Sequence, residues 1–283
     1  MANRPSAPSR LLAIALLGVF GSSTPAGAVD PAEPASAGFR PLFNGRNLDG
    51  WYTFLQKHGK GLDPDRIVTI EDGAIHLYKH AAEGSLVVMG YISTDREYEN
   101  YHLRFRYRWG TKKFEPRLKM KQDAGFYYHI QGEDGIWPRS LQYQVEESNV
   151  GDLIALLGFR ADTAIDPKTK GADKPTFLAV EAGGEARVLA SKPDGYAYQG
   201  RLATERELDG WNTVEVICRG DTTTHLLNGK VVNAATGIRL VEANRPGDAP
   251  RPIRRGRIAL EIEAAEIFFR DVEIKDLGAE PAR

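Results

Sequence analysis

The chain has 283 residues, with 37 Lys and Arg against 38 Asp and Glu and a net charge of −1. So balanced a surface has no electrostatic reason to hold nucleic acid or an anionic membrane. Cys218 is the single cysteine, so no internal disulfide can form, stability falls to a packed core, and its alternating apolar surroundings predict a buried, inert thiol.

Residues 1–28 read as a secretory signal peptide. Arg4 and Arg10 give a basic start, Leu11 to Phe20 form a short apolar run, and Ala26-Gly27-Ala28 supplies a small-residue cleavage site. The run is too short to span a bilayer, and no later run approaches that length. Cleavage near Ala28-Val29 predicts an exported protein, periplasmic or secreted, with no membrane partner. Residues 29–38 are rich in Ala, Pro and Ser and predict a flexible lead-in. The remaining chain, 39–278 with a short tail at 279–283, fits one large all-β domain.

Strand signals dominate that domain. Ile67 to Ile70 and Ala74 to Tyr78 flank an Asp72-Gly73 turn and predict a hairpin. Tyr101 to Trp109 alternates, with Leu103, Phe105, Tyr107 and Trp109 on one side and His102, Arg104, Arg106 and Arg108 on the other. Short strands are expected at Ala124 to Ile130, Leu141 to Glu147, Asp152 to Leu157 and Trp211 to Arg219. A further hairpin turns at Asn228-Gly229, and a tight Ala264-Ala265 connection joins Arg257 to Glu263 with Glu266 to Lys275. The stretch from Ala161 to Asp194 predicts a β-excursion with a mobile rim. No helical periodicity follows the signal peptide. Many short strands separated by turns indicate a two-sheet jelly-roll sandwich.

The strand from Leu141 carries the chemistry. Period-two alternation puts Gln142, Gln144 and Glu146 on one face and Leu141, Tyr143 and Val145 on the other. A row of amides ending in a carboxylate, with Trp137 in the loop leading into it, suits a sugar better than a core. The arginine row of Arg104 and Arg108 reads instead as a solvated outer face.

Several blocks resemble one family in order. Leu42-Phe43-Asn44-Gly45 through Gly50-Trp51 is similar to the opening of the 3-keto-disaccharide hydrolase domain family. Asp123-Ala124-Gly125-Phe126-Tyr127-Tyr128-His129, Trp137 to Gln144 and Gly151-Asp152 resemble its middle strands. Trp211-Asn212, His225 to Gly229, Gly256 to Leu260 and Phe269-Arg270-Asp271-Val272 resemble its end. The resemblance covers about Leu42 to Leu277. It implies a concanavalin A-like lectin/glucanase fold and action on glycosides carrying a ketone at C3 of the sugar. That ketone acidifies the C2 proton, so a base can remove it and the glycosidic oxygen at C1 leaves by β-elimination, with hydration completing hydrolysis. It also implies an upstream sugar 3-dehydrogenase that supplies the substrate.

The chain departs from the family at one place that matters. Gln142 stands where the family usually has Glu, and an amide cannot act as a base near neutrality. The acid–base work is therefore expected from His129, at the end of a strand beside the polar row and with an intrinsic pKa near neutrality, together with Glu146 or Glu147. A bulge would decide which of those two carboxylates faces inward. Glu261 replaces a family Gln, so a carboxylate could have moved to a neighbouring strand, and Glu263 lies two residues on. Gln142, Gln144, Asp123, Trp137, His225, Glu261 and Arg270 are the expected substrate contacts. Trp51 and Trp211 are further stacking candidates, and for Arg270 an ion pair with Asp271 or Glu266 competes with that role. No transition-metal spacing appears. No cofactor is indicated, and calcium on oxygen ligands stays compatible with the composition. The alternative function is a carbohydrate-binding module that kept the groove without catalysis; two amides count against a retaining glucanase.

Overall fold

A computed structural model describes residues 38–241 and 249–279; the expected signal peptide, most of the lead-in and residues 280–283 lie outside them. The described residues form two antiparallel sheets packed face to face, the jelly-roll sandwich expected from the strand pattern. One sheet, the backing sheet, runs in the order Glu185–Ala190, Phe159–Ile165, Lys230–Leu240, Thr222–Leu227, Asn212–Arg219, Tyr101–Lys113, Ala265–Asp276, Ala74–Leu77, Val68–Glu71. The other, the site sheet, runs Tyr196–Gln199, Leu153–Leu156, Leu141–Glu146, Asp123–Ile130, Arg255–Ile262, Gly90–Thr94, Trp51–Leu55, Gly59–Lys60. Arg255–Ile262 and Ala265–Asp276 belong to different sheets, so Ala264, at φ 57°, is a crossover between layers.

Alternation explains the layering. Phe126, Tyr128, Leu141, Tyr143, Val145, Leu153, Leu260 and Ile262 face Leu103, Phe105, Tyr107, Val214, Val216 and Phe269 across the main core. Aromatic contacts cross that layer, including Phe105 with Phe126 at 5.1 Å and edge-on. Cys218 is buried in this core, and burial pushes its thiol up to about 12. Trp51 belongs there too, with its indole N–H donating to Leu42 O at 2.9 Å, so it is not a sugar platform.

The second face of the site sheet carries a smaller cluster of Tyr52, Tyr91, Tyr127, Ile154 and Leu156. This face holds the groove. The excursion after Phe159 consists of strands Phe159–Ile165 and Glu185–Ala190 joined through two short 3-10 turns. The arginine row lies on the outer face of the backing sheet, where Arg104 pairs with Glu273 at 2.7 Å.

One bulge changes the face of a residue. Between the pairs Arg257–Ile130 and Ala259–Tyr127 the Asp123–Ile130 strand contains one residue more than its partner. His129 sits at φ 55°, so Tyr128 and His129 both turn inward and Ile130 returns to the groove face. Gly256 makes room: a Cβ there would lie 2.5 Å from the His129 Cα. Simple alternation would have placed His129 beside Gln142. The bulge buries it in the sandwich instead.

Candidate functional site

The groove begins with a register. Gln142 lies opposite Tyr127, Gln144 opposite Gly125, and Glu146 opposite Asp123, while Gln142 also pairs with Ile154 on its other side. Of these, Asp123, Gln142, Gln144, Glu146 and Ile154 line a groove of about 540 Å³ together with Arg117, Trp137, Tyr198, Glu261 and Glu263. The two-residue spacing of Glu261 and Glu263 puts both carboxyls on the outward face at the end of Arg255–Ile262.

A continuous polar network lies on the groove floor. Gln142 Nε2 donates to Gln144 Oε1 at 2.8 Å and to Glu261 Oε2 at 2.7 Å. Gln144 Nε2 donates to Asp123 Oδ1 at 2.7 Å. The Tyr127 hydroxyl donates to Glu261 Oε1. Arg117 bridges two carboxylates, through Nη1 to Glu263 Oε1 at 2.6 Å and through Nη2 to Asp123 Oδ2. Gln142 and Glu261 belong to strands separated by Asp123–Ile130, and they meet because the residue between them is Gly125. A Cβ on Gly125 would stand 2.7 Å from Glu261 Oε2 and 2.9 Å from Gln142 Nε2. Gly125→Ala is therefore expected to push the two side chains apart and lower turnover by about 10²-fold, the cost of an ångström-scale misplacement. Steady-state kinetics alongside circular dichroism would check this, and unchanged kinetics would detach the Gln142–Glu261 contact from the chemistry.

Three carboxyls share one guanidinium here, so they cannot all ionise. Burial first, and then the Glu263 charge, pushes Asp123 up to about 9 against the pull of Arg117. Burial also raises Glu261 well above the usual carboxylate range, with Glu263 and Asp123 adding to the effect. Glu263 is raised by burial, Arg117 opposing. A hydrogen bond between the two glutamates raises Glu261 and lowers Glu263. Glu261 is thus the proton-bearing partner, and Glu263, against Arg117, is the one that ionises more readily.

Beyond this cluster the groove changes character on both sides. Toward strand Tyr196–Gln199 lie Ile154, Leu156, Leu157, Tyr196 and Tyr198, with Trp137 half exposed at 46%. On the far flank Asp134 Oδ1 accepts from the hydroxyls of Tyr52 at 2.7 Å and Tyr91 at 2.8 Å and from Arg257 Nη1 at 2.7 Å. This ties the loop that carries Trp137 to the sheet.

Several expected site residues lie elsewhere. His129 is fully buried, and neither ring nitrogen has a hydrogen-bond partner among the described residues. Burial pushes its imidazole down to about 4. It neither reaches the groove nor titrates near neutrality, so it cannot be the base. His225 is also interior: its Nδ1 donates to Gly151 O at 3.2 Å and its Nε2 accepts from the Tyr128 hydroxyl at 2.9 Å. It bridges the two sheets rather than binding substrate. Glu147 follows the strand end and is exposed outside the groove, with its backbone N–H on Gln122 O. Glu146 faces the groove rim and accepts from Asn149. Arg270 lies on the backing sheet, 3.3 Å from Asp271 and over the ring of Trp211 at 4.0 Å, which removes both Arg270 and Trp211 from the site. Glu266 serves His76 at 2.9 Å instead.

Asp123, Gln142, Gln144, Glu146, Trp137 and Glu261 do converge. Sequence reading missed Arg117, Tyr127 and Tyr198. Tyr127 and Tyr198 each have a period-two signal on their own strands; Arg117, in an irregular Lys-rich loop, has none. Among the described residues no group of three or more His, Cys, Asp or Glu is arranged to hold a metal ion. Arg117 is the cation paired with Asp123 and Glu263.

Residues 38–275 match the model of the 3-keto-alpha-glucoside-1,2-lyase-like domain. The chain belongs to that family. Two crystal structures, each of a candidate glycosyl hydrolase from Parabacteroides distasonis ATCC 8503, are similar to it. The first is 18% identical, covering 85% of this chain and 94% of the other at a TM-score of 0.50. The second is 18% identical over 84% and 99%, at a TM-score of 0.49. A carbohydrate-binding module from Bacillus subtilis is 9% identical over 80% and 95%, at 0.39. No curated protein matches the chain. The lyase-like family carries a carbohydrate-related function, and the first similarity supports the same fold.

Proposed function

We propose that this lyase-like protein cleaves glycosides already oxidised to a ketone at C3, with the Glu261–Glu263 pair moving the protons. The observation that carries this reading is the buried Glu261 carboxyl, held by Gln142 at 2.7 Å and by the Tyr127 hydroxyl, with Glu263 on Arg117 beside it in the groove. The ionised oxygen of the pair takes the C2 proton, the C1–O bond breaks, and the pair's own proton goes to the departing oxygen. Water then adds across the C1–C2 double bond. Gln144 and Arg117 each have further N–H groups to offer the enolate oxygen at C3. Gln142, where the family has Glu, holds Glu261 in place, and the carboxylate has crossed to the other end of that hydrogen bond.

A retaining glycosidase needs its two carboxyls about 5 Å apart. Burial raises Glu261 well above the usual carboxylate range and raises Glu263 as well, which suits holding and passing a proton better than supplying an ionised nucleophile. The signal-like leader supports an exported enzyme, periplasmic or secreted, with a sugar 3-dehydrogenase acting upstream.

A 3-keto-disaccharide deuterated at C2 tests the chemistry. Cleavage with loss of the deuterium to solvent is the expected result. Cleavage with the label retained would show direct hydrolysis, and saturable binding without product would identify a carbohydrate-binding protein.

A further inference from the structure

The groove has unequal halves, and the inequality bears on what leaves. On the floor, Gln142, Gln144, Asp123 and Arg117 supply hydrogen-bonding groups beside the carboxyl pair. One strand further, the register Gln142–Ile154–Tyr198 replaces amide by alkyl and then by aromatic surface. The next row pairs Leu156 with Tyr196, and Leu157 and Trp137 close the same side. Tyr196 is 70% exposed although its neighbour Tyr198, edge-on at 5.5 Å, is largely covered. An exposed aromatic next to aliphatic side chains, continuous with a polar centre, is a surface suited to an apolar group.

Resting on the proposed function, we infer that the substrate is a 3-keto-glycoside with an apolar, aryl-bearing aglycone, and that the Ile154–Leu156–Tyr196–Tyr198 wall holds that aglycone. A pyranose in the same place would set its hydroxyls against Ile154, Leu156 and Leu157, which can neither donate nor accept. Each unpaired hydroxyl weakens such binding. An aromatic ring has no such cost and stacks on tyrosine and tryptophan. The sugar itself occupies the polar floor, where the glycosidic C1 lies between the carboxyl pair and the wall. The groove volume of about 540 Å³ is enough for a two-ring ligand. In the reaction the aglycone oxygen receives the bonding electrons of C1–O and one proton from the carboxyl pair. It departs as the free alcohol or phenol, and the unsaturated 3-keto sugar stays on the floor to be hydrated.

Benzyl and methyl 3-keto-glucosides, each as both anomers, separate this idea from leaving-group reactivity, because the two alkoxides depart with comparable ease. The expected result is a kcat/KM for the benzyl compound at least about tenfold above that for the methyl compound and for a 3-keto-disaccharide. One lost ring contact in an apolar pocket is worth about that ratio. Tyr196→Ser, at an exposed position that folding does not depend on, and Leu156→Ser should each bring the ratio toward one. A benzyl-to-methyl ratio near one in the wild type, or preference for the disaccharide, overturns the inference while leaving the elimination chemistry intact. If no 3-keto-glycoside is cleaved, the chemistry fails, and calorimetry with unoxidised benzyl and methyl glucosides still decides the wall: tighter benzyl binding that Tyr196→Ser abolishes supports it, and equal binding rejects it.

Discussion

Glu261→Gln is expected to lower turnover of a 3-keto-glycoside by about 10²- to 10⁴-fold, the usual worth of a positioned acid–base group. The substitution keeps the size of the side chain and an acceptor oxygen, so the fold should survive. What it removes is the carboxyl of Glu261 from the proposed acid–base pair. Glu263→Gln should be comparably damaging, since either loss leaves a single carboxyl where the reaction needs both an acid and a base. The informative variant is the exchange Gln142→Glu with Glu261→Gln. These side chains are joined by a 2.7 Å hydrogen bond, so the exchange moves the carboxylate by one contact and restores the family arrangement at 142. Turnover in the exchanged protein should recover above that of Glu261→Gln alone. Glu261→Gln with wild-type kinetics would remove the carboxyl pair from the mechanism.

His129→Phe is expected to stabilise the protein, and increasingly so as the medium is acidified. Burial depresses the imidazole from 6.5 to about 4, so the unfolded chain binds a proton that the native chain refuses. Stability associated with His129 is therefore fully present above about pH 6.5 and is lost as pH falls through 4. At 1.36 kcal/mol per pKa unit that loss reaches about 3 kcal/mol. The phenyl ring of the variant cannot titrate, so the stability gap between variant and wild type should be constant above pH 6.5 and widen below it. Urea titrations at several pH values would measure this. A gap that does not change with pH would mean that His129 is solvated or paired in solution. Turnover at neutral pH should be preserved, because the side chain points between the sheets. His225, pushed down to about 3 by burial, acts in the same direction. The groove carboxyls act oppositely: their pKa values are raised, so the stability they contribute is present in acid and is lost as pH rises through the folded values, about 9 for Asp123. Comparing the variant with wild type cancels that background.

The fold was legible because it rests on a local, repeating signal. Alternation in Tyr101–Lys113 and Leu141–Glu146 assigns each side chain to the core or the outside without knowledge of the partner strand. The same period placed Gln142, Gln144 and Glu146 on one face, where the structure also has them. It failed at His129 for a reason that no single strand reveals. A bulge is a mismatch between two strands, here Asp123–Ile130 and Arg255–Ile262, which lie more than a hundred residues apart in the chain. The backbone can close on that mismatch because Gly256 has no side chain.

The chemistry divides in the same way. From its sequence alone this protein declared an all-β sandwich, a polar strand face, the family resemblance and the departure at Gln142. Only the tertiary structure decided which carboxyls meet. Glu261 reaches Gln142 over Gly125, and Arg117 arrives from a loop to neutralise part of the charge; both contacts join distant segments through a sheet register. Side-chain direction along a strand is set by covalent geometry and can be read locally. Proximity between strands is set by pairing and packing, and the protonation of three buried acids depends on every neighbour that packing brings.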